Sequence, residues 1–341
     1  MVSWSTPDLK LYNKELIRKE IQNNETCRKS QIAQLTSLSI GTCNTAINEM
    51  LRDNEIIKVD QEELIMGRPA DRFCYNKDYF HVMGMYLSGE HRCNLIEYAV
   101  ADALGNENIH ESLETEVITY EVIEKIVDEM LTADPLIRSL SIGIPGITSS
   151  GVVERCDIST IVGVDLEGQL RRKFHIDVEV RNDMDFIAYG AYHTIYNGSA
   201  NMAAVFFPSE SEGTVGCGFV VNGKVLRGYT KFSGEVSYIL EGFGISRKQQ
   251  AKYWGDRDIF LVYAAQIVLI IIATLDPEEI VLIGNGIHQD EVPVISEFCS
   301  KIVSDSHIPK IIATSDYANN YIKGLVRASI NRISFPISEP L

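Results

Sequence analysis

Apolar positions near the N-terminus recur at helical spacing. Leu16, Ile17 and Ile21 predict an amphipathic helix over residues 13–23, and a second short helix is predicted over residues 30–35. After a turn at residues 36–38, Ser39 is a predicted N-cap for a third helix that ends near Arg52. The inward face of this third helix is expected to carry Cys43, Ile47 and either Met50 or Leu51.

Two short β-like runs follow the third helix. They cover residues 56–59 and 64–66, with an acidic turn at residues 60–63 between them and Gly67-Arg68-Pro69 after them. Three helices followed by a hairpin are typical of a winged helix-turn-helix domain.

From His81 onward, strands alternate with helices. Strands are predicted over residues 81–87, 92–100, 139–144, 178–180, 202–207, 219–221, 280–283 and near 311; helices are predicted over 120–131, 184–196 and 259–275, with two more after 283. This order predicts an α/β body whose two halves each open with strands and continue as βα units. The expected domains are residues 1–76, 77–196 and 197–341, with the C-terminal helix packing back on the first lobe.

Composition supports a soluble protein of two or three domains. The chain has 341 residues, of which 45% are hydrophobic and 23% charged. Residues 1–10 contain no basic-then-apolar leader, and the apolar run 267–275 is too short to span a bilayer, so a cytoplasmic location without membrane contact is expected. The seven cysteines include no CxxC pair and predict reduced thiols rather than disulfides.

The net charge of −16 is unevenly distributed. Residues 1–75 contain ten Lys or Arg and eleven Asp or Glu, so nearly all of the acidic excess lies in the body. The acidic sum argues against a protein that coats nucleic acid, because phosphate binding requires a local excess of basic side chains. It remains compatible with a DNA-binding domain confined to residues 1–75.

The predicted third helix has the chemistry of a recognition helix. Thr42, Asn44, Thr45 and Asn48 follow the cap, where a helix-turn-helix meets base edges. Asn can make two hydrogen bonds to adenine, and Thr offers a hydroxyl or a methyl group. Candidate phosphate contacts are Arg28, Lys29 and Arg52, and Arg68 of the wing is a candidate minor-groove contact. The alternative is a protein-interaction module with a solvated helix face; the agreement of helix, turn and wing favours DNA.

The order of these features resembles the ROK family (repressors, open reading frames and sugar kinases). Its head is similar over residues 31–51, with Leu38-Ser39 and Gly67-Arg68-Pro69. Further landmarks in family order are Gly143-Ile144-Pro145-Gly146, Asn182-Asp183, Gly216-Cys217-Gly218, Asn222-Gly223, Gly234-Glu235, Asp276-Pro277 and residues 280–286. The resemblance implies a two-lobed, actin-like sugar-kinase body, usually in a homodimer or a dimer of dimers.

The resemblance also implies a sugar site. In family kinases the Asp of the Asn-Asp pair takes the proton of the attacking sugar hydroxyl, and Asp183 matches it. The implied sugar-binding set is Asn182, Asp183, Glu235 and Gly146. On spacing alone, Asn182-Asp183 is better interpreted as a cap for the following helix, and only the ordered set of family landmarks favours the sugar site.

Several departures from the family pattern argue against kinase chemistry. The first phosphate turn reads Met85-Tyr86-Leu87-Ser88-Gly89-Glu90, without the metal-side Asp, and the second reads 210–215 with two glutamates. Carboxylates there oppose a triphosphate, so neither ATP nor Mg²⁺ is expected as a cofactor. Tyr238 replaces the zinc-binding His and no Cys lies between Cys217 and Cys299, so no structural zinc is expected. The sugar loop, residues 160–164, has also lost its family residues.

Together these features predict a sugar-responsive transcriptional regulator, with repression as the favoured sign. The expected partners are operator DNA, a small carbohydrate or sugar-phosphate effector, and a second copy of the chain, with a tetramer as a further option. One alternative is a bifunctional sugar kinase with Asp183 as its base. Another is a non-catalytic protein-interaction scaffold.

Overall fold

The computed structural model describes residues 6–59, 71–90, 93–195, 201–208, 215–246, 249 and 255–335. The head contains helices α1 (Thr6–Gln22), α2 (Lys29–Thr36) and α3 (Ile40–Arg52). The Ser39 hydroxyl accepts a hydrogen bond from the Thr42 backbone at 3.1 Å, which confirms the predicted cap. The buried face of α3 is Cys43, Ala46, Ile47 and Met50.

The wing differs from the sequence prediction in its second strand. Strands β1 (Cys27–Arg28), β2 (Ile56–Val59) and β3 (Arg72–Tyr75) form a sheet in the order β1-β3-β2. Antiparallel pairing sets Ile56 against Tyr75 and Val59 against Arg72. The predicted strand 64–66 and Arg68 lie outside the described residues. Strand β3 was missed because only Phe73 and Tyr75 of its four residues are buried, which is too short an alternation to recognise.

The first lobe is built on one five-stranded sheet. Its strands are β4 (His81–Glu90), β5 (Cys93–Asp102), β6 (Glu107–Thr115), β7 (Ile137–Ile144) and β10 (Asp177–Asn182), in the order β10-β7-β4-β5-β6. Helices α4 (Tyr120–Ala133) and α5 (Leu166–Phe174) join β6 to β7 and lead into β10. A separate hairpin, β8 (Gly146–Ser149) and β9 (Val152–Cys156), follows β7.

The second lobe repeats this arrangement. Strands β11 (Met202–Phe206), β12 (Gly216–Val221), β13 (Lys224–Val225), β14 (Glu279–Ile283) and β15 (Lys310–Thr314) pair in the order β13-β12-β11-β14-β15. Helices α7 (Ser237–Gly242), α8 (Arg257–Leu275) and α9 (Val292–Ser300) complete this lobe. In both sheets three antiparallel strands come first and two parallel strands are added beside the first of them. The body is therefore a duplicated, two-lobed, actin-like α/β fold.

Several elements of the first lobe gave no clear signal in the sequence. Strand β6 carries mostly exposed polar side chains, so its sequence lacks the apolar alternation that marks a strand. Its extended conformation is instead stabilised by antiparallel pairing with β5. The β8–β9 hairpin and α5 lie between the predicted strands 139–144 and 178–180, where the sequence predicted no helix or strand.

Helix α8 is longer than the apolar run that the sequence suggested. By length and composition it is the one helix in the described part of the chain that could cross a membrane. In the fold, however, Phe260, Ala264, Ile267 and Ile271 are buried in the cluster between this helix and the second sheet. Core packing against the second sheet therefore explains why this face of α8 is apolar.

Two helices, α6 (Asp183–Thr194) and α10 (Tyr317–Ser334), lie between the sheets and pack extensively against each other. Their backbones touch at Gly190 and Gly324. A Cβ atom on Gly190 would lie 1.7 Å from the Asn320 carbonyl oxygen, and one on Gly324 would lie 1.9 Å from the Phe186 carbonyl oxygen. Only glycine allows this close crossing, because even an alanine methyl would overlap the partner backbone.

Substituting alanine at the crossing is expected to destabilise the protein. Gly324→Ala forces α6 and α10 apart and should lower the free energy of unfolding by about 1–3 kcal/mol, as overpacking typically does. Urea denaturation measures this loss. Gly242→Ala is the control, because no atom lies within 4 Å of a Cβ added there. Equal stability of the two variants would contradict the tight crossing.

The head and body share one buried cluster. It continues from Ile17, Ile21 and Tyr75 of the head to Leu325 and Ile330 of α10. The Arg18 guanidinium adds a polar contact, since it donates to the Ser334 carbonyl at the end of α10 and to the buried Glu55 carboxylate. The head therefore packs directly on the helix that also lines the boundary between the lobes.

Candidate functional site

The connection between β10 and α6 brings Asn182 and Asp183 to the boundary between the lobes. The Asn182 side-chain oxygen accepts from the Met184 backbone at 2.9 Å and thus caps α6, as the spacing alone suggested. Its amide nitrogen donates to the Gly146 carbonyl at 3.0 Å. Gly146 begins β8 and lies tightly against β9, so that a Cβ would be 2.1 Å from the Arg155 carbonyl oxygen. Both residues thus have structural roles beside the predicted sugar contacts.

Asp183 differs from Asn182 in its electrostatics. Burial raises the pKa of its carboxyl to about 7, although a hydrogen bond from the Met184 backbone acts in the opposite direction. The negative charges of Asp157, Glu235 and Asp185 raise this pKa further. Near neutral pH the carboxyl therefore exists in both protonation states and can accept or donate a hydrogen bond to an alcohol.

Glu235 reaches this cluster from the second lobe. It follows Gly234, whose φ of +95° and close approach to the Cys217 carbonyl, 1.9 Å from an added Cβ, exclude other residues. The backbone thus places a half-buried carboxylate close enough to Asp183 to affect its pKa. The structure brings together Asn182, Asp183, Gly146 and Glu235 from the predicted set and adds Asp157.

A buried tyrosine pair completes the site. The rings of Tyr86 and Tyr321 stack with centroids 4.4 Å apart and an interplanar angle of 9°. The Tyr321 hydroxyl lies over Gly143, where a Cβ would be 2.1 Å away, and has no hydrogen-bond partner among the described residues. Burial and the negative charge of Asp183 raise the pKa of Tyr321. The site therefore contains an unpaired hydroxyl donor near a carboxyl group, which suits a polyhydroxylated ligand.

One contact links the lobes near this site. Arg155 of β9 donates a hydrogen bond to the Tyr238 hydroxyl of α7, and its guanidinium lies 5.7 Å from the centre of the same ring. Tyr238 stands where the family resemblance places a zinc-binding His. Here its described role is to bridge the lobes.

Other predictions for the body lie partly outside the described residues. The described residues do not include positions 209–214 of the second phosphate loop or the side chain of Glu90. The expected lack of zinc, ATP and Mg²⁺ therefore stays a prediction. In the sugar loop, the Thr160 hydroxyl donates to the Ile118 carbonyl within the first lobe.

The proposed DNA-facing residues of α3 lie on its accessible side. Thr45 and Asn48 are exposed, and Thr42 and Asn44 are partly exposed. The Thr45 hydroxyl donates to the Gly41 carbonyl at 3.1 Å, so its methyl group remains for contact. Arg28 and Arg52 are exposed, whereas the Lys29 ammonium lies 5.7 Å from the centre of the Phe73 ring. Their exposure is what contact with a duplex requires, and the role of these residues in DNA binding stays a prediction.

Sequence reasoning missed Tyr321, Tyr86 and Asp157. Tyr321 lies 138 positions after Asp183 in the chain and reaches it only through the packing of α10 on the first sheet. An isolated aromatic residue in an amphipathic helix is most simply interpreted as core. Only the unpaired hydroxyl distinguishes it, and that is visible in three dimensions alone.

Comparison with known proteins agrees with this architecture. The ROK family model matches residues 93–247. The xylose repressor of Bacillus spizizenii is 22% identical over 268 residues, which cover 77% of this chain and 68% of the repressor. The xylose repressor of Caldicellulosiruptor bescii is 24% identical over 242 residues, which cover 69% of this chain and 60% of that protein.

Two solved structures extend the comparison. A ROK family transcriptional regulator described as a homologue of the E. coli MLC protein has a TM-score of 0.73 and 16% identity, with 94% of this chain and 96% of that chain covered. The ROK hexokinase of Thermus thermophilus has a TM-score of 0.57 and 15% identity, with 74% and 99% covered. The regulator thus matches a larger share of this chain than the hexokinase does.

Proposed function

Because residues 93–247 form a ROK family domain, we propose that this chain is a sugar-responsive transcriptional repressor that acts in the cytoplasm. The observation that supports this proposal most directly is the accessible α3 surface on a head that packs against a two-lobed body. Two relatives are named xylose repressors, which supports both DNA and a sugar as partners.

The proposed ligand is a small carbohydrate bound between the lobes. Asp183 and Glu235 accept hydrogen bonds from its hydroxyl groups, and the Tyr321 hydroxyl donates one. The Arg155–Tyr238 bridge is positioned to respond, because a ligand that alters the separation of the lobes changes this contact. A neutral sugar fits an acidic cluster better than an anion does.

Helix α10 supports a route from this ligand to the head. Tyr321 in its second turn stacks at the site, and the Ser334 carbonyl in its last turn accepts from Arg18 of α1. A shift of α10 therefore changes both the sugar site and the contact between the head and the body. For the sugar to regulate DNA binding, it must bind the two arrangements with different affinities.

We propose that two copies of the chain bind a pseudo-palindromic operator. Two recognition helices in successive major grooves on one side of the duplex are separated by about one helical turn, or about 34 Å. A tetramer is the further option. Analytical ultracentrifugation with and without the duplex tests both assemblies.

Operator binding is expected to depend on α3. Asn44→Ala and Asn48→Ala should each weaken binding to a duplex from the chain's own upstream region by about tenfold, since a specific base contact is worth about 1–3 kcal/mol. Fluorescence anisotropy with a random-sequence competitor measures the change. Asn94→Ala removes an amide from the body and should leave binding unchanged.

The opposite results have clear meanings. If both α3 variants bind like the parent protein, another surface contacts DNA. If no duplex binds specifically, the protein-interaction scaffold replaces the proposed repressor. If binding is specific but no aldose in a panel beginning with xylose alters it, the sugar-responsive part of the proposal is wrong.

A sugar kinase remains the second candidate, because the Asp183 pKa near 7 suits a general base. An ADP-release assay over the same sugars distinguishes the two functions. Turnover that is abolished by Asp183→Asn would establish the kinase.

A further inference from the structure

A cavity lies away from the proposed sugar site, at the C-terminal end of α6 and close to the head. Its volume is about 310 Å³, which is near the lower limit for small-ligand sites. The walls come from the β5–β6 turn, the C-terminal turn of α6 and the middle of α10. Leu104 also borders a neighbouring cavity of about 240 Å³, which is lined by Gln22 of α1 and Tyr75 of β3. The two cavities therefore meet at the contact between head and body.

The larger cavity is basic although the body is acidic. His193, Lys323 and Arg327 line it, and Lys19 of the head is close enough to influence His193. Other basic side chains of the body, such as Arg171 and Arg332, pair with carboxylates. Within the described part of the chain, the salt bridges include neither Lys323 nor Arg327.

Two observations indicate that this charge is uncompensated. The Arg327 Nε atom is buried without a hydrogen-bond partner among the described residues. Desolvation by the cavity wall and the positive charges of Arg327 and Lys19 lower the pKa of His193, although part of its side chain stays exposed. Glu107 is the carboxylate in the described lining, and it already pairs with His110 at 3.0 Å.

The remaining lining identifies the kind of occupant. Leu104, Val326 and Ile330 form an apolar part of the wall, which suits the carbon skeleton of an organic ligand. The C-terminus of α6 carries a partial negative charge, which disfavours an anion. This partial charge is smaller than the combined positive charge of Lys19, Lys323 and Arg327. Arg327 lines the cavity, and guanidinium N–H groups are the usual donors for phosphate oxygens.

We propose that this cavity binds a small phosphate-bearing molecule, with Arg327 and Lys323 as its principal contacts. The site is separate from the sugar site, because His193 lies at the opposite end of α6 from Asp183. Leu104 borders both this cavity and the one lined by α1 and β3. A bound phosphate therefore also alters the contact between the head and the body.

Calorimetric titration of the full chain tests this site directly and needs no DNA. The probes are inorganic phosphate, pyrophosphate and glucose 6-phosphate, with glucose as the uncharged comparison. Saturable binding of at least one phosphate probe is expected, but not of glucose. Arg327→Gln and the more exposed Lys323→Gln should each weaken it by about tenfold.

Lys125→Gln is the matched control, since it removes the same charge from the exposed surface of α4. It should change the affinity by less than about twofold, as expected for a distant, screened charge. A histidine NMR titration gives a second measurement: the bound phosphate should raise the pKa of His193, assigned through His193→Gln. If Lys125→Gln weakened phosphate binding as much as the cavity variants do, the effect would be one of overall charge and not of this site. If no phosphate probe bound saturably, the proposed site would be wrong.

Discussion

Asp183→Asn is expected to stabilise the ligand-free protein, and the gain should grow with pH. The pKa of Asp183 rises from 3.8 to about 7 on folding because burial and three neighbouring carboxylates disfavour its charge. One pKa unit corresponds to about 1.4 kcal/mol, so the charged carboxylate costs the folded state up to about 4 kcal/mol. Asn retains the side-chain oxygen that accepts from the Met184 backbone.

The direction of the pH dependence follows from linkage. Below pH 3.8 the carboxyl is protonated in both the folded and unfolded states, and the variant gains little. Between pH 3.8 and about 7 the unfolded chain releases the proton while the folded chain retains it, so the stability of the parent protein falls. Above about pH 7 both states are ionised and the difference levels off.

Thermal unfolding of both proteins from pH 4 to pH 8.5 measures this effect. Asp128→Asn, in an exposed position of α4, is the control and should show no comparable gain. A gain for Asp183→Asn that is constant across this range would mean that Asp183 is not held near neutrality. The same variant should lose sugar binding, because proteins retain a destabilising buried charge where function needs it.

Glu55→Gln is expected to destabilise the protein by about 3–5 kcal/mol, the usual result of removing one partner from a buried ion pair. Glu55 is fully buried, pairs with Arg18 and lies 2.9 Å from the Lys14 Nζ atom. Its neutralisation leaves the buried Arg18 guanidinium without its counter-charge. Arg18 also holds the end of α10, so head and body should both be affected.

Urea denaturation measures this loss, with two comparisons. Asp71→Asn removes the carboxylate of an exposed pair with Lys58, 2.9 Å apart, and should cost less than about 1 kcal/mol. The double variant Arg18→Met, Glu55→Met should be more stable than Glu55→Gln, because it leaves no unpaired buried charge from this pair. A Glu55→Gln protein as stable as the parent would show that the pair contributes nothing to the junction.

The fold was predictable where local pattern and tertiary environment agree. The Ser39 cap, helix α3 and the alternation of strands with helices in both halves of the body are all present in the structure. Strand β6 and the β8–β9 hairpin were not predictable, because their mostly exposed or short sequences lack periodic burial. In these elements strand pairing overrides weak local preference.

For the site, the sequence by itself determined that Asn182-Asp183 caps the following helix, and the family resemblance implied Gly146 and Glu235 as further sugar contacts. Only the tertiary structure decided that Tyr321 lies near Asp183, that α10 connects this site with Arg18, and that Arg327 lines a cavity without an ion pair among the described residues. The physical reason is that caps and turns depend on neighbouring residues, whereas burial, the pKa of a carboxyl and an unpaired donor depend on residues that are distant in the chain.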